Sequence, residues 1–312
     1  IAWILDQAGR RPTVMNGAVM RNFVDADHPF APYVSRLRVP EFGTMQSHGE
    51  TLVWRMTTPP GFDPSKKYPV VMQVYGGPGT GAGVQKSWQP LTNQLLTDAG
   101  YVVFRLDNRG EGDRSQRFET SIYRRLGLAA VEDQTLAAKW LKEQPFVDPD
   151  RIAITGGSAG GYTTLCALTF TDRFRAGASH YGISDLEALY HDTHKFESRY
   201  LDRLVGPLET SGDVIRARSP IHHLDRIGCP VILFQGLDDK VVPPNQAAMM
   251  ADALRARGLP VALLAFEGEG HGFRQAATIR RTLEAELWFY GRIFGFGPAD
   301  AIDPVEIDNW PR

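Results

Sequence analysis

Short apolar runs recur along the chain from residue 69 onward, each followed by turn residues and then by a longer stretch of helical spacing. The runs "PVVMQVY" (69–75), "YVVFRLD" (101–107), "RIAIT" (151–155), "VILFQG" (231–236) and "VALLAFEG" (261–268) are continuous rather than alternating. That is the pattern of strands covered on both faces. Between them, "PLTNQLLTDAG" with Gly100 as its stop, "AAVEDQTLAAKWLKEQ" (129–144), the stretch after Ser158, "NQAAMMADALRARG" and "TIRRTLEAELWFYGRIFG" carry helical spacing. Upstream, "TLVWRMTTP" alternates like an exposed strand. Strands alternating with amphipathic helices predict an α/β fold, a mostly parallel sheet with helices on both faces. Residues 1–45 differ, reading as short strands and a proline-punctuated connector. They are taken as an N-terminal extension ahead of one large domain, 46–312.

Composition narrows the function classes. The 312 residues are 43% hydrophobic and 22% charged, with a net charge of −2. This balance gives no electrostatic footprint for nucleic acid or an anionic membrane. No apolar run approaches the ~20 residues needed to span a bilayer. Cys166 and Cys229 are too few for a disulfide framework and form no CxxC pair, so both are expected to be buried thiols. The chain opens on Ile1 with no basic n-region or cleavage site. A cytoplasmic location is the expectation, with a periplasmic one as the alternative.

Two glycine-rich loops follow strands. The loop 76–87, "GGPGTGAGVQKS", has Lys86-Ser87, but Gln85 stands where a phosphate-binding loop needs its last glycine. The loop in "RIAITGGSAGGYTT" (151–164) has no lysine and no GxGxxG register. What it fits is GxSxG, with Gly156, Ser158 and Gly160 on a strand-to-helix turn. A serine held at a cramped backbone angle needs neighbours without side chains, and the turn lifts its Oγ above the sheet. The next N–H, that of Ala159, then points where a tetrahedral oxyanion would form.

A hydroxyl at neutral pH needs a general base, and the base needs a carboxylate to fix its tautomer. Both follow in the order serine, acid, histidine. "FQGLDDKVVPP" comes after the run 231–236, and "FEGEGHGF" carries His271 after the run 261–268. The spacing leaves Asp238 and Asp239 as equal candidates for the acid.

The stretches "YPVVMQVYGGPG", "YVVFRLDNRGEG", "RLGLAAVEDQTLAAKWL", "VDPDRIAITGGSAGGYTT", "SPIHHLDRIGCPVILFQGLDDKVVPP" and "FEGEGHGF" together resemble the catalytic domain of the prolyl oligopeptidase family of serine peptidases. The resemblance runs from about Pro40 to Phe296, toward the dipeptidyl peptidase IV and acylaminoacyl peptidase branches. It implies an α/β-hydrolase fold with an eight-stranded sheet. It selects Asp239, three residues after Gly236, as the acid, with Asp238 as the fallback. It also makes the Tyr75 hydroxyl a second oxyanion donor beside Ala159. For the S1 pocket, which takes proline or a small apolar side chain, it points to Ile183, Leu186, Leu189, Phe196 and Val242.

The resemblance further implies a β-propeller ahead of the hydrolase, of which residues 1–45 would be a remnant. The dipeptidyl peptidase branch carries an asparagine before the S1 valine, and Val241 stands there in this chain. The expected activity is hydrolysis of short peptides through an acyl-enzyme, with a carboxylesterase acting on small esters as the alternative. No cofactor is expected, and a homo-oligomer or a separate propeller domain is a possible partner. His191, His194 and Glu197 stand at i, i+3, i+6, but three ligands without a supporting shell make a poor zinc site, so no metal is expected. Glu132 and Asp133 are read as favourable charges at a helix start, and "DNRGEGDR" (107–114) as a hydrogen-bonded loop.

Overall fold

The computed structural model describes residues 38, 40–77, 90–111, 115–192, 199–297 and 301–311. Residues 1–37, most of the proposed extension, lie outside it, as do Lys86, Ser87, His194, Phe196 and Glu197. The strands are β1 (Glu41–Ser47), β2 (Glu50–Thr57), β3 (Tyr68–Val74), β4 (Val102–Leu106), β5 (Val147–Gly157), β6 (Ala176–His180), β7 (Val231–Gly236) and β8 (Val261–Phe266). They form one eight-stranded sheet in the order β1-β2-β4-β3-β5-β6-β7-β8. The pairs β1–β2 and β2–β4 are antiparallel, and every other pair is parallel.

The main helices are α1 (Pro90–Asp98), α2 (Gln116–Thr120), α3 (Ala129–Lys142), α4 (Ala159–Phe170), α5 (Leu186–Asp192), α6 (Tyr200–Leu204), α7 (Leu208–Ala217), α8 (Asn245–Ala256) and α9 (Ala276–Phe294). Successive strand residues point to opposite faces, and two cores result. Met72, Phe104, Ile154 and Leu233 pack with Leu141 of α3, Leu165 of α4 and Met250 of α8. Val71, Val103, Ala153 and Phe234 pack with Leu96 of α1 and with Phe289, Tyr290 and Phe294 of α9. The parallel sheet with helices on both faces is the predicted architecture.

Three elements depart from the expectation. The run at 51–59 is no exposed strand: β2 is paired on both sides and buries Leu52, Arg55, Met56 and Thr57. β1 zips onto it from Glu41, so the sheet includes residues 41–45, which the sequence reading gave to the extension. β6, "AGASH", has none of the bulky β-branched residues that mark a strand. Its small residues allow close packing: a Cβ on Gly177 would lie 2.4 Å from Leu168 Cδ1 of α4.

The first turn of α3 does more than meet a helix dipole. Arg109 Nε donates to both oxygens of Asp133 at 3.0 Å, and its Nη2 reaches Glu132 Oε2 at 2.7 Å. Asp133 Oδ2 also accepts the backbone N–H of Arg109 at 2.8 Å. The two acids therefore anchor the loop after β4, next to the C-terminal end of the sheet.

Candidate active site

Ser158 joins β5 to α4 with φ 57° and ψ −123°, a backbone conformation that non-glycine residues adopt only when the surroundings enforce it. The surroundings are crowded. A Cβ on Gly156 would lie 2.5 Å from the carbonyl of Gly160, and one on Gly160 would lie 2.5 Å from Val74 O and 2.7 Å from Tyr75 O. The GxSxG spacing is therefore a packing requirement, with β3 and the start of α4 closing on the turn from two sides. Ser158 N–H donates to His180 O at 2.9 Å, and Ser158 O accepts from Tyr162 N–H at 2.9 Å.

The acid and the histidine arrive from two neighbouring loops. Asp239, buried in the turn after β7, accepts the backbone N–H groups of Val241 and Val242 on Oδ1, each at 2.9 Å. Its Oδ2 lies 2.8 Å from His271 Nδ1, and His271 Nε2 lies 2.9 Å from Ser158 Oγ. Serine, histidine and aspartate thus form one hydrogen-bonded line. Asp238, the fallback, is exposed and donates only its backbone N–H, to Glu269 O at 2.9 Å. The conformation of the loop makes this choice between neighbours, because a turn that caps Oδ1 with two N–H groups sends the adjacent side chain outward.

Several residues that hold this line were not visible in the sequence. Gln235 is buried on β7 and donates to Gly236 O at 3.0 Å and Val242 O at 3.2 Å, closing the acid loop. Glu269 accepts the backbone N–H groups of Arg274 and Gln275 at 2.9 Å each, splinting the turn that carries His271. Burial opposes its charge, but those two donors, with Thr278, hold its carboxyl below the usual range. A Cβ on Gly236 would lie 2.4 Å from Glu269 O, so the acid loop and the histidine loop abut. Tyr181, at φ 40°, packs edge-on against His271 with ring centres 4.9 Å apart and also meets Phe273. Burial, and then the charge of Asp239, push its hydroxyl upward. "HYGISD" carries no motif; only its place at the end of a hidden strand would have flagged it.

Of the predicted oxyanion groups, Ala159 opens α4, where first-turn N–H groups find no acceptor within the helix. Tyr75 directly follows β3, half-buried, with its backbone against the elbow. The S1 candidates separate. Ile183, Leu186, Leu189 and Val242 belong to one buried cluster with Tyr162 of α4 and with Leu201, Leu204 and Ile215 of α6 and α7. Leu186 has no exposed surface left for a substrate side chain, so the structure moves it from pocket wall to core. Among the described residues no cluster of histidine, cysteine and carboxylate side chains is arranged to hold a metal ion. Nor is any helix among them long and apolar enough to cross a membrane.

An α/β sheet with a strained serine elbow and a Ser-His-Asp line defines the chain as an α/β-hydrolase with a serine-hydrolase site. Comparison with known proteins makes this specific. The model of the prolyl oligopeptidase family matches residues 87–297, and the chain belongs to that family of serine peptidases. It is 32% identical over 236 residues to dipeptidyl peptidase 4 of Trichophyton equinum, covering 72% of this chain and 29% of that protein. It is 30% identical over 254 residues to dipeptidyl-peptidase 5 of Porphyromonas gingivalis, covering 80% and 36%. The structure of a puromycin-hydrolysing peptidase of Mycobacterium tuberculosis superposes with a TM-score of 0.83 at 38% identity, covering 90% of this chain and 43% of that one. The matched parts cover between 29% and 43% of the length of these relatives.

Proposed function

We propose that the chain hydrolyses amide bonds of short peptides after proline or a small apolar residue, through an acyl-enzyme on Ser158. The observation that carries this is the unbroken line from Asp239 through His271 to Ser158, with contacts of 2.8 and 2.9 Å. His271 Nε2 takes the serine proton as Oγ bonds to the scissile carbonyl carbon, and Asp239 stabilises the resulting imidazolium. The Ala159 N–H and the Tyr75 hydroxyl hold the oxyanion. His271 then protonates the leaving amine as the C–N bond breaks. Water, deprotonated by the same imidazole, cleaves the ester and restores the serine hydroxyl. Ile183, Leu189 and Val242, each retaining a little exposure, are the proposed S1 contacts. The names of the relatives, dipeptidyl peptidases and a puromycin-hydrolysing peptidase, support short amide substrates.

The test compares p-nitroanilides of Pro- and Ala-terminated peptides with p-nitrophenyl esters. Amide turnover that vanishes in Ser158→Ala, together with fluorophosphonate labelling, is expected. Ester turnover with no amide cleavage by the intact protein would overturn the peptidase reading.

A further inference from the structure

Arg105 sits on β4 with only 3% of its surface exposed. It stands opposite Gln73 of β3 and Arg55 of β2 in the ladder, so the three side chains share one face of the sheet. Tyr75 follows Gln73 by two positions and continues that row toward the C-terminal end of the sheet, where Ser158 stands. The Arg105 guanidinium carbon lies over the Tyr75 ring, 4.8 Å from its centre. That is a cation–π contact, and its burial strengthens it because water does not screen it.

We propose that Arg105 is a positioning residue for the oxyanion donor: it fixes the Tyr75 ring and brings a permanent positive charge up behind the hydroxyl. The inference rests on the reading of Tyr75 as that donor. An oxyanion donor contributes most when it is oriented before charge develops, yet Tyr75 lies beyond the end of its strand, where the sheet ladder no longer holds it. A planar cation stacked on its face replaces that restraint. The same cation makes the hydroxyl a stronger donor to the negative charge that appears on the substrate oxygen in the transition state and is absent in the ground state.

Arg55, Asp107 and Glu111 are buried in the same cluster as Arg105. Arg55, the like-charged neighbour, is held down to about 10 by burial and then by Arg105 itself. Glu111, also buried nearby, is held well above the usual carboxylate range, chiefly by burial, which favours its neutral form. Arg55 stays a cation at neutral pH, and Arg105 is the one of the two that stacks on the proposed donor. It touches no substrate, and its effect should appear only through the Tyr75 hydroxyl.

The experiment is a double-mutant cycle on the whole chain with a peptide p-nitroanilide, alongside inhibition by the matching peptide aldehyde, which forms a tetrahedral oxyanion adduct. Arg105→Met is expected to lower kcat and aldehyde affinity by about tenfold, with KM changed by less than about twofold. Arg105→Lys should restore most of kcat. In the Tyr75→Phe background, which keeps the ring but not the hydroxyl, Arg105→Met should cost nothing more. Equal losses in both backgrounds, or a folded Arg105→Met with full kcat, would overturn the proposal. If Arg105→Met loses its cooperative melt, the cycle is read with Arg105→Gln and Arg105→Lys, and a Lys variant no better than Gln counts against it. A Tyr75→Phe enzyme with undiminished kcat would instead sink the donor reading itself.

Discussion

The backbone N–H of Ser158 donates to the carbonyl of His180 at 2.9 Å, and the ring of the same His180 reaches the Glu286 carboxylate at 3.0 Å. The elbow is thereby tied through β6 to a buried acid on α9, on the face of the sheet away from α4. Tyr290 OH also donates to Glu286, at 2.9 Å. Full burial penalises the Glu286 charge, but the charge and hydrogen bond of His180, with hydrogen bonds from Thr155 and Tyr290, outweigh it and depress the carboxyl.

This pair predicts an acid-sensitive stability. A carboxyl depressed on folding stabilises the native state fully above its unfolded value of about 4.3, and the contribution is lost as pH falls through the folded value. Glu286→Gln is expected to cost about 1–3 kcal/mol at pH 7. It should also flatten the decline in stability below about pH 5. Urea melts at a series of pH values check both points; a variant with the wild-type acid slope would contradict the assignment.

The elbow glycines predict a graded pair of substitutions. Gly160→Ala forces a Cβ against Val74 O and Tyr75 O, both fixed backbone atoms, so the cost is expected at about 1–3 kcal/mol. Because relief of the clash must shift Ser158 or Tyr75, kcat should fall further than stability explains. Gly212→Ala on α7, where nothing lies within 4 Å of the new methyl, should leave both unchanged. Thermal melts and peptide-anilide kinetics on the two variants measure this contrast.

Neither cysteine should react in the native protein. Burial pushes the thiols of Cys166 and Cys229 up to about 12, so the nucleophilic thiolate is scarce at pH 8 and shielded as well. Ellman's reagent should find no thiol in the folded chain and two after denaturation, and peptidase activity should survive iodoacetamide. Rapid labelling of one thiol under native conditions would show that its site opens.

How much of this was legible in the sequence follows from what each residue needs. Val71, Phe104, Ile154 and Leu233 announced their strands because a strand covered on both faces must be apolar throughout. Gly156 and Gly160 announced the elbow because only a missing Cβ satisfies it. β6 stayed hidden because close helix packing selects Ala, Gly and Ser there, which carry no strand signal. Tyr181 stayed hidden because it acts on a loop brought near only by the fold, and Gln235 and Glu269 because they splint their own loops through hydrogen bonds that no motif marks. Leu186 was assigned to a pocket by resemblance, whereas it is fully buried in the cluster it shares with residues of α4, α6 and α7.

The adjacent acids of the loop after β7 give the sharpest discrimination. Asp239 Oδ1 is occupied by two N–H groups, so only Oδ2 remains to orient His271, and Asp239→Asn would present an amide of the wrong polarity to either set of donors. In the proposed mechanism this favours the wrong imidazole tautomer, and kcat is expected to fall by about 10⁴ with the fold retained. Asp238→Asn changes an exposed side chain whose backbone N–H alone is engaged, and should keep kcat within about twofold. Measuring both variants on one peptide anilide, with circular dichroism as the control for folding, decides the matter. Comparable losses from the two would mean that the acid is shared between neighbours rather than held by Asp239.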